Sequence, residues 1–267
     1  MAIGSLTRKH LYVGRLQDTY RKTSGLLESS RVVSKESLKI HVFVDFDGTI
    51  VPGDATDRLF QRFADPAWLE IEAKWKAGRI GSRECMARQV DLLRVAPEAF
   101  DALVDTVEVD EAFPRFVEIC RLHGIEITVV SDGFDRVIAS VLARAGLDLP
   151  FFANRLEWEG ADRWRLAFPN SRSDCRTLSG NCKCQFAAAR RERVGIMIGD
   201  GRSDFCISER VDVVLAKGAL AGHCREMGLP HYPIEGFAEA NRLLLTWLEA
   251  GLQRRGDGEV HFESAAK

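Results

Sequence analysis

The sequence predicts an α/β protein, a doubly wound parallel sheet with a helical module inserted after its first strand. Three observations carry this expectation. From Ile40 onward short β-rich runs alternate with helical stretches, three of those runs end in polar triplets, and about 75 residues separate the first run from the second. Alternating β and α segments build a parallel sheet covered by helices. Ligands then collect beyond the carboxyl ends of its strands. A parallel crossover needs only about a dozen residues, so the surplus length reads as an insert.

The elements follow in order. The clearest strands are Ile40–Phe46, Ile125–Ser131, Gly195–Gly199 and Val211–Ala216. The first three end at Asp45-Phe46-Asp47, Ser131-Asp132-Gly133 and Gly199-Asp200-Gly201, which places all three triplets on one edge of the sheet. Within the insert, Thr56–Phe63, Ala67–Lys76, Ser82–Leu93 and Glu98–Val104 read as amphipathic helices separated by Pro66, by Gly78 and Gly81, and by Pro97. Trp68 and Trp75, at heptad spacing, are expected in the core. After a helix over Asp135–Ala145, Phe151–Trp158 and Trp164–Phe168 alternate around Gly160 as a hairpin does. A polar loop over Asn170–Gly180 leads to Asn181-Cys182-Lys183-Cys184, and Phe237–Leu252 is a final amphipathic helix.

Composition bounds the function. A chain of 267 residues holds one large domain or a core with a modest insert. A net charge of −2 gives no reason to expect nucleic acid, and no apolar stretch reaches the roughly 20 residues that cross a bilayer. Seven cysteines, an odd and scattered set, point to a reducing cytoplasm rather than a disulfide framework. Residues 1–38 are basic and poor in acids. They are read as a disordered extension, against a transit peptide, a docking helix or a misassigned start. The expected division is a core over 39–54 and 112–253, a helical cap over 55–111, and a frayed end over 254–267.

Asp45-Phe46-Asp47-Gly48-Thr49 is the most informative segment. If the chain stays extended, both aspartates face one side and Phe46 the other. Gly48 then permits a tight turn, and the Thr49 hydroxyl can bond an oxygen. Two unit charges about 4 Å apart repel by about 4 kcal/mol at an effective dielectric of about 20, so paired carboxylates call for a cation. A hard divalent metal serves that purpose. Taken alone, the same residues also make an ordinary turn. The ordered set Asp45, Asp47, Thr49, Ser131, Lys183, Asp200 and Asp204 suits phosphoryl transfer through a covalent aspartate: a nucleophile, an acid, cationic charge and hydroxyl or amide donors.

On these residues the chain resembles the haloacid dehalogenase superfamily of phosphatases. Asp45-Phe46-Asp47-Gly48-Thr49 is similar to its first motif, Ser131 to its second, Lys183 to its third and Gly199-Asp200-Gly201-Arg202-Ser203-Asp204 to its fourth. The insert resembles the helical, C1-type cap of the phosphoserine-phosphatase-like branch. The cysteine-containing loop before Lys183, Ile196–Asp200 and His223-Cys224-Arg225-Glu226 are similar to the methionine-salvage phosphatases of that branch. The resemblance implies a Rossmann-like core and a Mg²⁺-dependent phosphomonoesterase acting on a small phosphorylated metabolite through an aspartyl phosphate. A methionine-salvage enol phosphate or phosphoserine are the substrates it suggests.

It further implies roles. Asp45 would be the nucleophile and Asp47 the general acid, while Asp45, the Asp47 carbonyl and Asp200 would hold Mg²⁺. Ser131, the amide of Asp132, Thr49 and Lys183 would bind the phosphoryl group, with Asp204 orienting Lys183 or a metal-bound water. Asp54 would contact substrate or cap the helix that begins near Thr56. Arg79, Arg83 and Arg88 are candidates for substrate contact, against solvated helix faces. Cys175, Cys182 and Cys184 fit no standard zinc spacing and are read as reduced loop thiols, with metal binding left open. Rival readings are a dehalogenase, disfavoured by Asp47, a receiver-like phospho-signalling domain, disfavoured by length and by the insert, and a catalytically retired homologue, disfavoured by the intact set of acids and lysine.

Overall fold

The computed structural model describes residues 39–189 and 193–250. The expectations for residues 1–38 and 254–267 lie outside the described residues. Seven strands form one sheet in the order β4-β3-β2-β1-β5-β6-β7. They are β1 (Ile40–Val44), β2 (Glu126–Phe134), β3 (Phe151–Gly160), β4 (Arg163–Ala167), β5 (Val194–Gly199), β6 (Val213–Ala216) and β7 (His231–Pro233). Every pairing is parallel except the β3–β4 hairpin. The sequence reading omitted β7, whose three residues carry too little pattern to register.

Burial explains why β1 is central. All five of its residues are buried, as expected for a strand covered on both faces. Val42 and Val44 join the larger apolar cluster with Phe113, Phe116, Phe237 and Trp247, from helices α5 (Phe113–Leu122) and α10 (Phe237–Ala250). Phe43 points the other way. It packs with Met197, Val214, Ile207 and Leu220, under α7 (Cys184–Ala188), α8 (Phe205–Ser208) and α9 (Gly218–Met227). Helices on both faces make the sheet doubly wound.

Register brings the polar triplets level. Val44 lies opposite Val129 on one side and Ile198 on the other, so the chain leaves β1, β2 and β5 at one edge. Two strand ends at this edge differ from expectation. β1 ends at Val44 rather than Phe46, because the chain turns at Phe46 and Asp47 bridges to Val51. β2 runs on to Phe134, past Ser131, through an irregularity between Val130 and Phe134. The helix after it, α6 (Asp135–Arg144), starts at Asp135 as expected, without a side-chain cap.

The insert forms α1 (Ala55–Phe63), α2 (Trp68–Lys76), α3 (Ser82–Val90) and α4 (Pro97–Val104). Ser82–Leu93 was expected to be one helix, but its last turn unwinds and Leu93 bridges to Ala64. The apolar interior is continuous across the boundary: Leu59, Phe60, Trp68, Leu93 and Phe100 belong to the same cluster as Phe134, Ile138 and Trp164. Phe60 meets Phe134 edge to face, and Phe100 stacks on Trp164 at 4.9 Å. The Trp164 indole donates to the Val95 carbonyl at 2.8 Å. Outside, Arg136 grips both oxygens of Asp101.

Truncation at this seam has a calculable cost. Phe100 is fully buried, and removing such a ring typically costs about 3–5 kcal/mol. Phe100→Ala is therefore expected to lower the urea midpoint by that amount of stability in a single transition shared by cap and sheet. A two-step unfolding curve with an unchanged second step would contradict the continuous core.

Candidate active site

Beyond the carboxyl edge of β1, β2 and β5 lies a cavity of about 330 Å³. Asp45, Asp47, Ser131, Asp132 and Asp200 form its floor, and Asp54, Glu72, Trp75, Met86 and Gln89 line it from the insert. Asp45 and Asp47 both line this cavity while Phe46 is buried in the core, the division expected from alternation although the chain turns at Phe46.

Lys183 lies under Asp45. Its side chain is 0% exposed, yet its ammonium donates to Asp45 Oδ1 at 2.7 Å, to Asp204 Oδ1 at 2.7 Å and to Ser203 Oγ at 2.9 Å. Burial alone would push the lysine pKa down, but the Asp204 and Asp45 carboxylates outweigh it and hold the group charged. Asp45 is pushed up by burial and by the neighbouring charges of Asp204 and Asp200, with Lys183 opposing them. The Phe46 amide also donates to Asp45 Oδ1 at 2.8 Å. Both bonds fall on one oxygen.

Asp204 has no exposed surface. It occupies the last position of a 3₁₀ turn over Arg202–Asp204, and its second oxygen accepts from the Asp200 and Gly201 amides at 3.1 and 3.2 Å. Asp200 itself accepts from the Thr49 hydroxyl at 3.3 Å. Thr49, expected at the phosphate, is thus turned toward Asp200 and does not line the cavity.

Two glycines are required by close approach. Gly48 has φ +72°, and a Cβ there would sit 2.3 Å from Asp200 Oδ2. A Cβ on Gly133 would fall 2.8 Å from Asp47 Oδ2 and 3.2 Å from Ser131 Oγ. The Gly133 amide donates to Ser131 Oγ at 3.0 Å, so β2 ends in a small cradle of hydroxyl and backbone opposite the two aspartates.

The insert fixes Asp47. Its carboxylate accepts from the Ala55 amide at 2.7 Å and the Thr56 hydroxyl at 3.2 Å, both in the first turn of α1. Burial pushes the Asp47 pKa up to about 6, against these hydrogen bonds. Asp54 is the N-cap of α1, accepting from the Asp57 amide at 2.7 Å, and it also faces the cavity. Both functions considered for Asp54 are geometrically open to it.

Asp132 carries more than its backbone suggests. Its carboxylate accepts from Ser82 at the start of α3, from the Asn181 amide at 2.7 Å and from Asn154 Nδ2 at 3.2 Å. Asn181 Nδ2 in turn reaches the carbonyls of Ser131 and Phe152, each at 2.7 Å. Ser82, Asn154 and Asn181 were missed because single hydrogen-bonding residues give no period or spacing to read.

One further expectation is corrected. Trp75 lines the cavity rather than joining the core, while Trp68 is buried. For Arg79, Arg83 and Arg88 the solvated-face reading is the one the structure matches: all three are exposed and none lines the cavity, Arg83 lying over the Phe168 ring and Arg88 pairing with Glu84. Two cations went unpredicted. Lys217 donates to the Gly48 carbonyl at 2.8 Å, and Arg202, in the cavity wall, reaches the Lys76 carbonyl at 3.3 Å.

The acids fit a hard metal. Among the described residues, oxygens of Asp45, Asp200 and Asp204 lie within 4.8 Å of one another. An all-oxygen donor set beside a single contacting ammonium leaves negative charge that a divalent ion offsets. Asp204 already spends both oxygens on Lys183 and on two amides, so Asp45 and Asp200 are the carboxylates free to ligate.

Gly48→Ala is expected to displace the Asp200 carboxylate and raise the divalent-metal concentration needed for half-maximal activity by about 10-fold or more. Titration of metal into apoprotein checks it, an unchanged requirement being the contrary result.

Known proteins resemble this chain in sequence and fold. The haloacid dehalogenase-like hydrolase family matches residues 42–209. The 2-hydroxy-3-keto-5-methylthiopentenyl-1-phosphate phosphatase of Brevibacillus brevis is 30% identical, over 78% of this chain and 96% of that protein. The phosphatase of the same name from Geobacillus kaustophilus is 30% identical, over 73% of this chain and 91% of its own. Among solved structures, a phospho-aspartyl intermediate analogue of phosphoserine phosphatase superposes with a TM-score of 0.60 at 20% identity, covering 77% of this chain and 98% of that one. It shares the fold. With the family match spanning most of the core and relatives aligned over nearly their whole length, the chain belongs to the haloacid dehalogenase-like hydrolases, as a phosphatase.

Proposed function

We propose that this phosphatase is a Mg²⁺-dependent phosphomonoesterase that works through an aspartyl phosphate on Asp45 and acts on a small enol phosphate carrying a thioether. The single observation behind the chemistry is the pairing of Asp45 and Asp47 on one cavity floor, with Lys183 bonded to the first and the α1 amide to the second.

Asp45 Oδ1 is engaged by Lys183 and the Phe46 amide, which leaves Oδ2 to attack phosphorus. As the bond to the leaving oxygen breaks, Asp47 supplies its proton; a carboxyl with a pKa near 6 is suited to give a proton and then take one from water. That water attacks the phosphorus of the aspartyl phosphate, releasing inorganic phosphate and restoring Asp45. Ser131 Oγ and the amides that follow it hold the phosphoryl oxygens, and Lys183 offsets their charge. Asp45, the Asp47 carbonyl and Asp200 would hold Mg²⁺, which supplies charge neutralisation on the phosphoryl group. Thr49 and Asp204 act on these groups from behind, by positioning Asp200 and Lys183.

The substrate reading rests on the relatives' names and on the wall opposite the phosphate. Trp75 and Met86 offer an apolar, polarizable surface to a thioether, and Gln89 offers an amide. A second reading, phosphoserine, draws on the acids Asp54, Asp57 and Glu72 at the same wall, which suit an ammonium group. For the location, seven free cysteines suit a reducing cytoplasm. Among the described residues no helix is long and apolar enough to cross a membrane.

Asp45→Asn is expected to abolish turnover, by more than about 1,000-fold, with the circular dichroism spectrum retained, and EDTA to silence the wild type until Mg²⁺ is restored. Turnover surviving in Asp45→Asn would exclude the covalent route. A Mg²⁺-supplemented screen ranked by kcat/KM should place the methylthiopentenyl enol phosphate above phosphoserine. The reverse order would give the cavity to an amino-acid phosphate.

A further inference from the structure

Lys183 is flanked by two thiols. Cys182 is buried, Cys184 opens α7 and is half-buried, and their Sγ atoms stand 3.3 Å apart across the lysine. Between them Lys183 has helical backbone angles, φ −58° and ψ −37°. The lysine is the residue whose ammonium joins Asp45 to Asp204. A shift of the backbone between the two sulfurs is therefore carried to the base of the active site.

Two thiolates on one tetrahedral zinc are held about 3.8 Å apart by bonds of about 2.3 Å. The observed pair is closer than that and shares a hydrogen. A disulfide requires a further approach to about 2.05 Å.

We propose that Cys182 and Cys184 form an oxidation site that switches the phosphatase off by closing a disulfide around Lys183. The oxidant is a peroxide. The Cys184 thiolate attacks one peroxide oxygen, the O–O bond breaks, and hydroxide leaves with a proton as water, so that Cys184 becomes a sulfenic acid. The Cys182 sulfur then attacks the Cys184 sulfur. The S–O bond breaks, hydroxide takes the Cys182 proton as a second water, and the disulfide remains. Two thiols lose two electrons and one peroxide gains them.

Cys184 is the suited attacker on two grounds. It is the more accessible of the pair, and a hydrogen bond from Cys206 lowers its pKa, whereas burial raises that of Cys182. Drawing the sulfurs together by about 1 Å torques the single residue between them. Lys183 Nζ has two ionic contacts of 2.7 Å to lose, and displacement by about 1 Å can cost about 100-fold in rate.

The test uses the reduced full-length enzyme loaded with Mg²⁺. Its hydrolysis of para-nitrophenyl phosphate is measured first, which separates failure of the switch from failure of the phosphatase assignment. After treatment with hydrogen peroxide, activity is expected to fall by about 10-fold or more and to return with dithiothreitol. Peptide mapping is expected to show Cys182 linked to Cys184, with the loss of two hydrogens. Cys182→Ser and Cys184→Ser should each escape that reversible loss.

A Cys182–Cys184 disulfide with full activity would overturn the proposal. So would inactivation of equal size in both serine variants, a link from Cys184 to Cys206 instead, or one zinc per chain retained after dialysis and bound through these thiols. Should a serine variant fold poorly, the peptide map of the wild type against its activity loss decides the matter alone.

Discussion

The site is organised around one lysine ammonium with no access to solvent. Lys183 is held between Asp45 and Asp204 at 2.7 Å from each, and taking one partner from such a buried pair typically costs about 3–5 kcal/mol. Every neighbouring element serves this arrangement. β1 presents Asp45, the 3₁₀ turn after β5 presents Asp204, and the short helix α7 starts beside Lys183 itself. Because Asp204 also accepts from the Asp200 and Gly201 amides, the same buried charge shapes the loop that carries Asp200. A neutral replacement for the lysine would leave three carboxylates facing one another, which is why cationic charge at this spot is a condition of the fold as well as of the chemistry.

The insert and the sheet share one apolar interior, and Ser82 reaches the Asp132 carboxylate that also orders Asn154 and Asn181. Asp132 thereby couples the start of α3 to the backbone of the phosphate cradle. The cavity is lined by residues of both parts.

Much of this was legible in the sequence, and for identifiable reasons. Strands such as Gly195–Gly199 show as apolar runs, and the triplets that end them show as polar punctuation, so the sheet edge and the gathering of Asp45, Ser131 and Asp200 could be read from order alone. Lys183 could be placed only by resemblance, since nothing local distinguishes a buried lysine from a solvated one. Trp75 was misplaced for a related reason. Heptad spacing with Trp68 says that two side chains share a face, and does not say whether that face meets protein or a cavity. Asn154, Asn181 and Lys217 were invisible because their partners are carbonyls and carboxylates distant in sequence. Thr49 was read from its neighbours as a phosphate ligand, when its hydroxyl is committed to Asp200, 151 positions away.

The first turn of α1 grips Asp47 with the Ala55 amide and the Thr56 hydroxyl, while the cavity wall at Trp75, Met86 and Gln89 belongs to α2 and α3. The grip on Asp47 and the side chains Trp75, Met86 and Gln89 therefore sit on different helices of a single insert, although α1 adds Asp57 to the wall and α3 holds Asp132 through Ser82. Changes at Trp75, Met86 and Gln89 would recast which molecules are admitted without touching the hydrogen bonds on Asp47, whereas a change at the head of α1 would alter those bonds for every substrate at once. Diversification of specificity in this scaffold has one permissive side and one closed side, and the partition follows from which helix donates its first amide to an aspartate.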